Sequence, residues 1–180
     1  MNKQNISESN VSQPASSRLQ IERRSIPYVI NGKSNTCEQS EFIVDGQPLS
    51  TVLGFAGSRP WFGMTFLDSV KTARENQLQG FLGLCVPFNQ FGSGRFVLYR
   101  CHCGSDYCGV ISCELNVEGD RVCWRDIRYE TDPEEAEDTD DDDDRISHVI
   151  SDLYFDLAQY RASVNDFIAA LDSGDGASTT

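Results

Sequence analysis

The chain has 180 residues, room for one ordinary domain with tails, and its modest hydrophobic fraction of 39% is depleted mainly at the two ends. The formal net charge is −13. That balance argues against a phosphate-backbone reader, which needs a basic patch, and no stretch approaches the roughly 18 apolar residues of a membrane span. Residues 1–24 are rich in Ser, Asn and Gln, and residues 173–180 are small and polar. Both are expected to be disordered tails around a single domain at 25–172. The N-terminal segment has a Lys but no apolar run behind it, so neither a secretory signal nor an anchor is expected. The expected location is the cytoplasm, with reduced thiols.

In chain order, Ile26–Ile30 reads as a strand closed by the turn dipeptide Asn31-Gly32, and Glu41–Val44 as a second strand able to pair with it. Pro48 suits a first helical turn, with Leu49, Val52 and Leu53 inward. Phe66, Leu67, Val70 and Ala73 recur at helical spacing and predict a helix over Thr65–Asn76. The apolar run Gly80–Phe88 places Cys85 in the core, and the Gly-rich loop that follows has no phosphate-binding spacing.

Residues 95–130 read as an antiparallel β-meander with strands Arg95–Cys103, Tyr107–Glu118 and Arg121–Glu130. The turn Gly119-Asp120 fixes a register. Glu118 lies opposite Arg121, Val117 opposite Val122, Leu115 opposite Trp124 and Glu114 opposite Arg125. One face is then apolar and the other carries two opposite-charge pairs. Beyond it, Leu153–Phe155 predicts a short strand. A helix follows, with Asp156 as N-cap, Gln159 completing a capping box, and an apolar stripe from Leu157 through Tyr160, Val164, Phe167, Ile168 and Leu171 to a stop at Gly174. The expected class is α+β, a meander with flanking short strands and a packed C-terminal helix.

Of the chain's 28 acidic residues, 11 fall within 130–144, which contains no base; 17 acids against 15 bases remain elsewhere. This segment, ending in Asp140, Asp141, Asp142, Asp143 and Asp144, is expected to be a solvated acidic loop. Those five aspartates are candidate contacts for a protein partner with a basic surface, since such charge speeds encounter more than it tightens the complex. An EF-hand is not encoded, because the register lacks the Gly and Glu it requires.

Seven cysteines do not form a closed disulfide framework, and most are expected to be free thiols acting as small apolar side chains. The local motif is Cys101-His102-Cys103-Gly104-Ser105-Asp106-Tyr107-Cys108-Gly109. On a strand, Cys101 and Cys103 share a face, and the turn at 104–107 returns Cys108 beside them. Cys101, Cys103 and Cys108 are thus candidate zinc ligands. His102 and Cys113 fall on the opposite face, and a fourth ligand would have to come from Cys37 or His148. A cysteine-dependent enzyme would need a histidine beside a thiol, and only His102 and His148 exist.

The segment from Leu98 to Ile111, followed by Val122-Cys123-Trp124-Arg125-Asp126-Ile127-Arg128-Tyr129-Glu130, resembles a set of bacterial proteins of unknown function. These show a CG-x3-CG turn and then a V-x-W-x-D-x-x-Y-E strand. Phe155-Asp156-Leu157-Ala158-Gln159-Tyr160 is similar to their closing helix start, and Phe42–Leu49 to their early V-D-G-x-x-L segment. The resemblance spans roughly 41–170; it implies the architecture and no activity. The acidic run, the N-terminal tail and Cys101, where the set has C-x2-C-G, depart from that pattern. The sequence-level expectation is a non-enzymatic protein-binding module, such as an immunity-type protein neutralising a toxin. The alternatives are a zinc-stabilised scaffold domain and a small cysteine enzyme.

Overall fold

The computed structural model describes residues 14–30, 32–55, 62–132 and 150–174. Among these residues, two antiparallel sheets and three α-helices form the α+β fold expected from the sequence. The smaller sheet has strands β1 (Leu19–Ile30), β2 (Lys33–Val44) and β3 (Gln47–Pro48), in that order. The larger has β4 (Phe62–Met64), β5 (Phe96–Cys101), β6 (Val110–Glu118), β7 (Arg121–Glu130) and β8 (Leu153–Asp156), also in chain order. The helices are α1 (Leu49–Val52), α2 (Lys71–Phe81) and α3 (Leu157–Gly174).

The first hairpin is longer than its apolar segments suggest. Pairing runs from Ile30 opposite Lys33 to Leu19 opposite Val44. The expected tail boundary at residue 24 therefore moves back. Leu19 is fully buried, and its backbone N–H and carbonyl are both bonded to the Gln159 side chain, at 3.3 and 2.6 Å. Local polarity at 20–25 conceals a strand because that stretch gains its partners from β2, where Gln20 lies opposite Ile43 and Ser25 opposite Glu38.

The meander register agrees with the sequence at all four expected pairs, Glu118–Arg121, Val117–Val122, Leu115–Trp124 and Glu114–Arg125. The charged partners differ. Arg125 grips Glu118 diagonally, at 2.7 and 2.9 Å, while Glu114 turns to Arg95, 3.4 Å away. Arg95 is a buried cation and draws in Glu114 and Asp126, with Glu130 3.8 Å away. A buried charge that lacks such partners is costly. A bulge between Ser112 and Glu114 then resets the pairing, with Asp126 on the facing strand at φ 48°.

Trp124 lies at the centre of the core. Its ring packs within 6.0 Å of Phe42, Phe81, Phe155 and Tyr160, centroid to centroid, so both sheets, α2 and α3 meet on it. The indole N–H donates to the Tyr160 hydroxyl at 3.2 Å, which donates onward to the Phe81 carbonyl at 3.1 Å. This satisfies both buried polar groups. The C-terminal helix starts as expected at Asp156, whose carboxylate accepts the Gln159 N–H at 2.8 Å. The reciprocal arm of the capping box is absent because the Gln159 side chain serves Leu19 instead.

Two local expectations are corrected. The helix foreseen over 65–76 is a 3₁₀ turn at Phe66–Asp68, followed by α2 five residues further on than Phe66. Thr65 and Asp68 cap each other there and Ser69 is extended, so Val70 is left 74% exposed. Cys85 is exposed rather than in the core, because Leu84, Val86 and Phe88 lie outside the sheet layers.

Candidate metal centre

The cysteine motif forms the connection between β5 and β6. The strand stops at Cys101, so Cys101 and Cys103 do not converge by strand alternation as expected. A turn brings them together instead: Gly104 N–H donates to the Cys101 carbonyl at 3.0 Å, and Gly109 N–H to the Asp106 carbonyl at 2.9 Å. Gly109 sits at φ +86°, and a Cβ there would lie 1.9 Å from the Tyr129 hydroxyl oxygen. No other residue type fits without displacing that ring.

Asp106 anchors the loop. It is 1% exposed, its Oδ2 accepts the Gln90 N–H at 2.8 Å, and its own N–H donates to Gln90 Oε1 at 2.8 Å. Its Oδ1 faces the Arg100 guanidinium at 3.4 Å, within a nearly dry pair. Arg100 also donates to Gln77 Oε1 on α2 at 3.1 Å. Sequence reading missed Asp106, since an Asp between two glycines looks like an exposed turn residue. Only Arg100 and Gln90, brought in by the fold, make it a buried anchor.

The result is a convergence of sulfur. The Sγ atoms of Cys101, Cys103 and Cys108 all lie within 4.8 Å of one another, and those of Cys103 and Cys108 are 3.5 Å apart. Zinc–sulfur bonds of about 2.3 Å in a tetrahedron require sulfurs about 3.8 Å apart. The Cys103–Cys108 separation lies about 0.3 Å below that value. This is the only cluster of three or more metal-ligating side chains among the described residues.

The thiols are electrically distinct. The Ser105 N–H, 3.5 Å from Cys103 Sγ, holds that thiol below the usual range, helped by the Cys101 and Cys108 thiols. Cys108 is pushed up to about 11, chiefly by its hydrogen bond to Cys103. Within the contacting pair, Cys103 is thus the more acidic thiol and Cys108 the less acidic one. Metal binding would displace the protons of all three thiols.

The other candidates lie elsewhere. His102 is exposed and its Nε2 is 3.2 Å from Gln39 Oε1 on β2, a contact to the neighbouring sheet rather than to a thiol. Cys113 is fully buried behind the loop, and burial drives its thiol well up. The Cys37 thiol points to the Ile26 carbonyl at 3.8 Å. Only Cys113 and Cys123 of the seven cysteines are buried, so the expectation that most serve as apolar filling is corrected. His148 and Asp140, Asp141, Asp142, Asp143 and Asp144 lie outside the described residues. Of the acidic run, Glu130 is no loop residue: it ends β7, largely buried near Arg95.

A second polar cluster, between the sheets, is structural in character. Glu41 on β2 accepts from Ser50 Oγ at 2.5 Å and from the fully buried Tyr99 hydroxyl on β5. Desolvation raises the Glu41 carboxyl, and burial, reinforced by that carboxylate, raises Tyr99. No described helix is long and apolar enough to cross a membrane. No protein-family model, curated protein or solved structure matches the chain.

Proposed function

We propose that this protein is a non-enzymatic metal-thiolate module in which Cys101, Cys103 and Cys108 hold a soft ion, zinc by class. The observation that carries this reading is the mutual approach of the three Sγ atoms to within 4.8 Å. Three thiolates favour zinc or copper(I) over calcium or magnesium, which take oxygen ligands. The fourth position of a zinc tetrahedron is filled from outside the cluster, by water or by a donor on a partner. The ion would tie the end of β5 to the start of β6 and so stabilise the loop.

The test is zinc titration of the reduced, chelator-treated full chain. One equivalent is expected, and each of Cys101→Ser, Cys103→Ser and Cys108→Ser weakens it, whereas Cys85→Ser, at an exposed thiol outside the loop, does not. Cobalt should give sulfur-to-metal charge-transfer absorption. Binding below about a tenth of an equivalent would sink the reading.

A second reading rests on the charge distribution: 11 acids within 130–144 against a nearly balanced remainder. Such a segment suits docking to a basic protein surface, as an immunity-type protein would against a nucleic-acid-directed toxin. Capture from the producing cell should recover one basic partner in a salt-sensitive manner; recovery of abundant chaperones alone counts against it.

A further inference from the structure

We infer that Cys103 and Cys108 are a reversible dithiol–disulfide pair, and that closing the pair unloads the metal site. The pairing stands on the geometry of the loop itself; the unloading rests on the metal reading above.

Three observations carry it. The two sulfurs are 3.5 Å apart in the reduced chain, in mutual contact. Disulfide formation needs about 2.05 Å, so the gap to close is roughly 1.5 Å, within the reach of side-chain rotation in a short loop. Both residues are exposed, so a reagent reaches either sulfur, whereas Cys113 is sealed in the core. The two cysteines also flank Asp106, whose bonds to Gln90 and Arg100 fix the middle of the loop and hold its two arms face to face. Cys101 is less exposed and belongs to the end of β5, where its backbone is committed to pairing opposite Phe62. The most accessible pair is therefore the one within the loop.

The step uses a low-molecular-weight disulfide as oxidant. The Cys103 thiolate, which faces the Ser105 N–H, attacks one sulfur of the reagent; the reagent's S–S bond breaks and one thiolate leaves. Cys108 then attacks the Cys103 sulfur of the mixed disulfide, and the second reagent thiolate leaves. The protons of the two cysteines pass to the departing thiolates. Two protein thiols are oxidised by two electrons and one reagent disulfide becomes two thiols. Two of three metal donors are consumed, and Cys101 alone does not retain zinc.

The experiment treats the full chain, zinc-free and zinc-loaded, with oxidised glutathione. Products are read by intact mass and by differential alkylation mapping. The zinc-free chain should lose two hydrogens, with Cys103 and Cys108 protected together and Cys85 and Cys101 still alkylated. Cys108→Ser should instead stop at one glutathionyl group on Cys103, and Cys101→Ser should still form the bond. In the loaded chain, each disulfide should release one zinc to a chromophoric chelator, and dithiothreitol should reverse it. Unlinked modification of the exposed cysteines, or a bond that uses Cys101, overturns the inference while leaving zinc binding intact. A chain that forms the Cys103–Cys108 bond yet binds no zinc supports the pairing and removes the metal reading instead.

Discussion

The β6–β7 hairpin and the cysteine loop that precedes it are both reversals in the same sheet, yet they are specified in different ways. The hairpin carries its own instructions. Gly119-Asp120 sets the turn, alternation sets the faces, and Val117–Val122 and Leu115–Trp124 follow as cross-strand pairs. The cysteine loop spans 102–109 and is shaped by residues outside it: Gln90 and Arg100 hold Asp106, and Tyr129 roofs Gly109. A reversal set by local chemistry tolerates change at its tip; one set by tertiary anchors does not.

The largest effect should come where the hairpin meets the core. Trp124→Ala removes the ring shared by both sheets and leaves the Tyr160 hydroxyl without its indole donor, so urea unfolding should show a loss of about 3–5 kcal/mol. In the loop, Asp106→Asn keeps the shape but leaves the buried Arg100 without its anion, at a cost of about 3 kcal/mol. If that variant unfolds at the parent midpoint, the loop is not anchored by this pair. Glycine offers a direct contrast. Gly109→Ala should cost about 1–3 kcal/mol and weaken zinc binding, because Tyr129 must move. Gly119→Ala, at φ +63° with nothing within 4 Å of its Cβ, should cost about 1 kcal/mol for the left-handed backbone alone and leave zinc binding unchanged. Equal effects at the two glycines would abolish the distinction. The smallest effect belongs to Glu118→Gln. Its pair with Arg125 lies on the solvent face, and the unfolding midpoint should stay within error of the parent.

The same distinction explains what could be read in advance. The register from Glu118–Arg121 to Glu114–Arg125 was legible because a two-residue turn and period-two alternation are local and mutually consistent. The N-cap at Asp156 and the stripe of α3 were legible for the same reason. The ion pairs were not, because Arg95 competes for Glu114 from a neighbouring strand. The helix at 65–76 failed because its spacing was real for Phe66 and Leu67, whereas the Thr65–Asp68 cap confines those two to a single 3₁₀ turn. For the cysteines, the three that the spacing selected are the three whose sulfurs converge, by a route that differs in part from the expected one. Cys108 returns through the turn as expected, but Cys103 reaches Cys101 around the corner of that turn and not along a strand.

By itself, the sequence determined the α+β class, the hairpin and its register, the C-terminal helix, and the candidacy of Cys101, Cys103 and Cys108. All of these depend on residues close together in the chain, where propensity, alternation and turn chemistry act directly. Tertiary structure alone decided that Leu19 belongs to the core, that Cys85 does not, and that Asp106 is a buried anchor of the loop in which three sulfurs converge. Those outcomes depend on partners such as Gln159, Gln90 and Arg100, whose arrival in space is a property of the packed chain and not of any window along it.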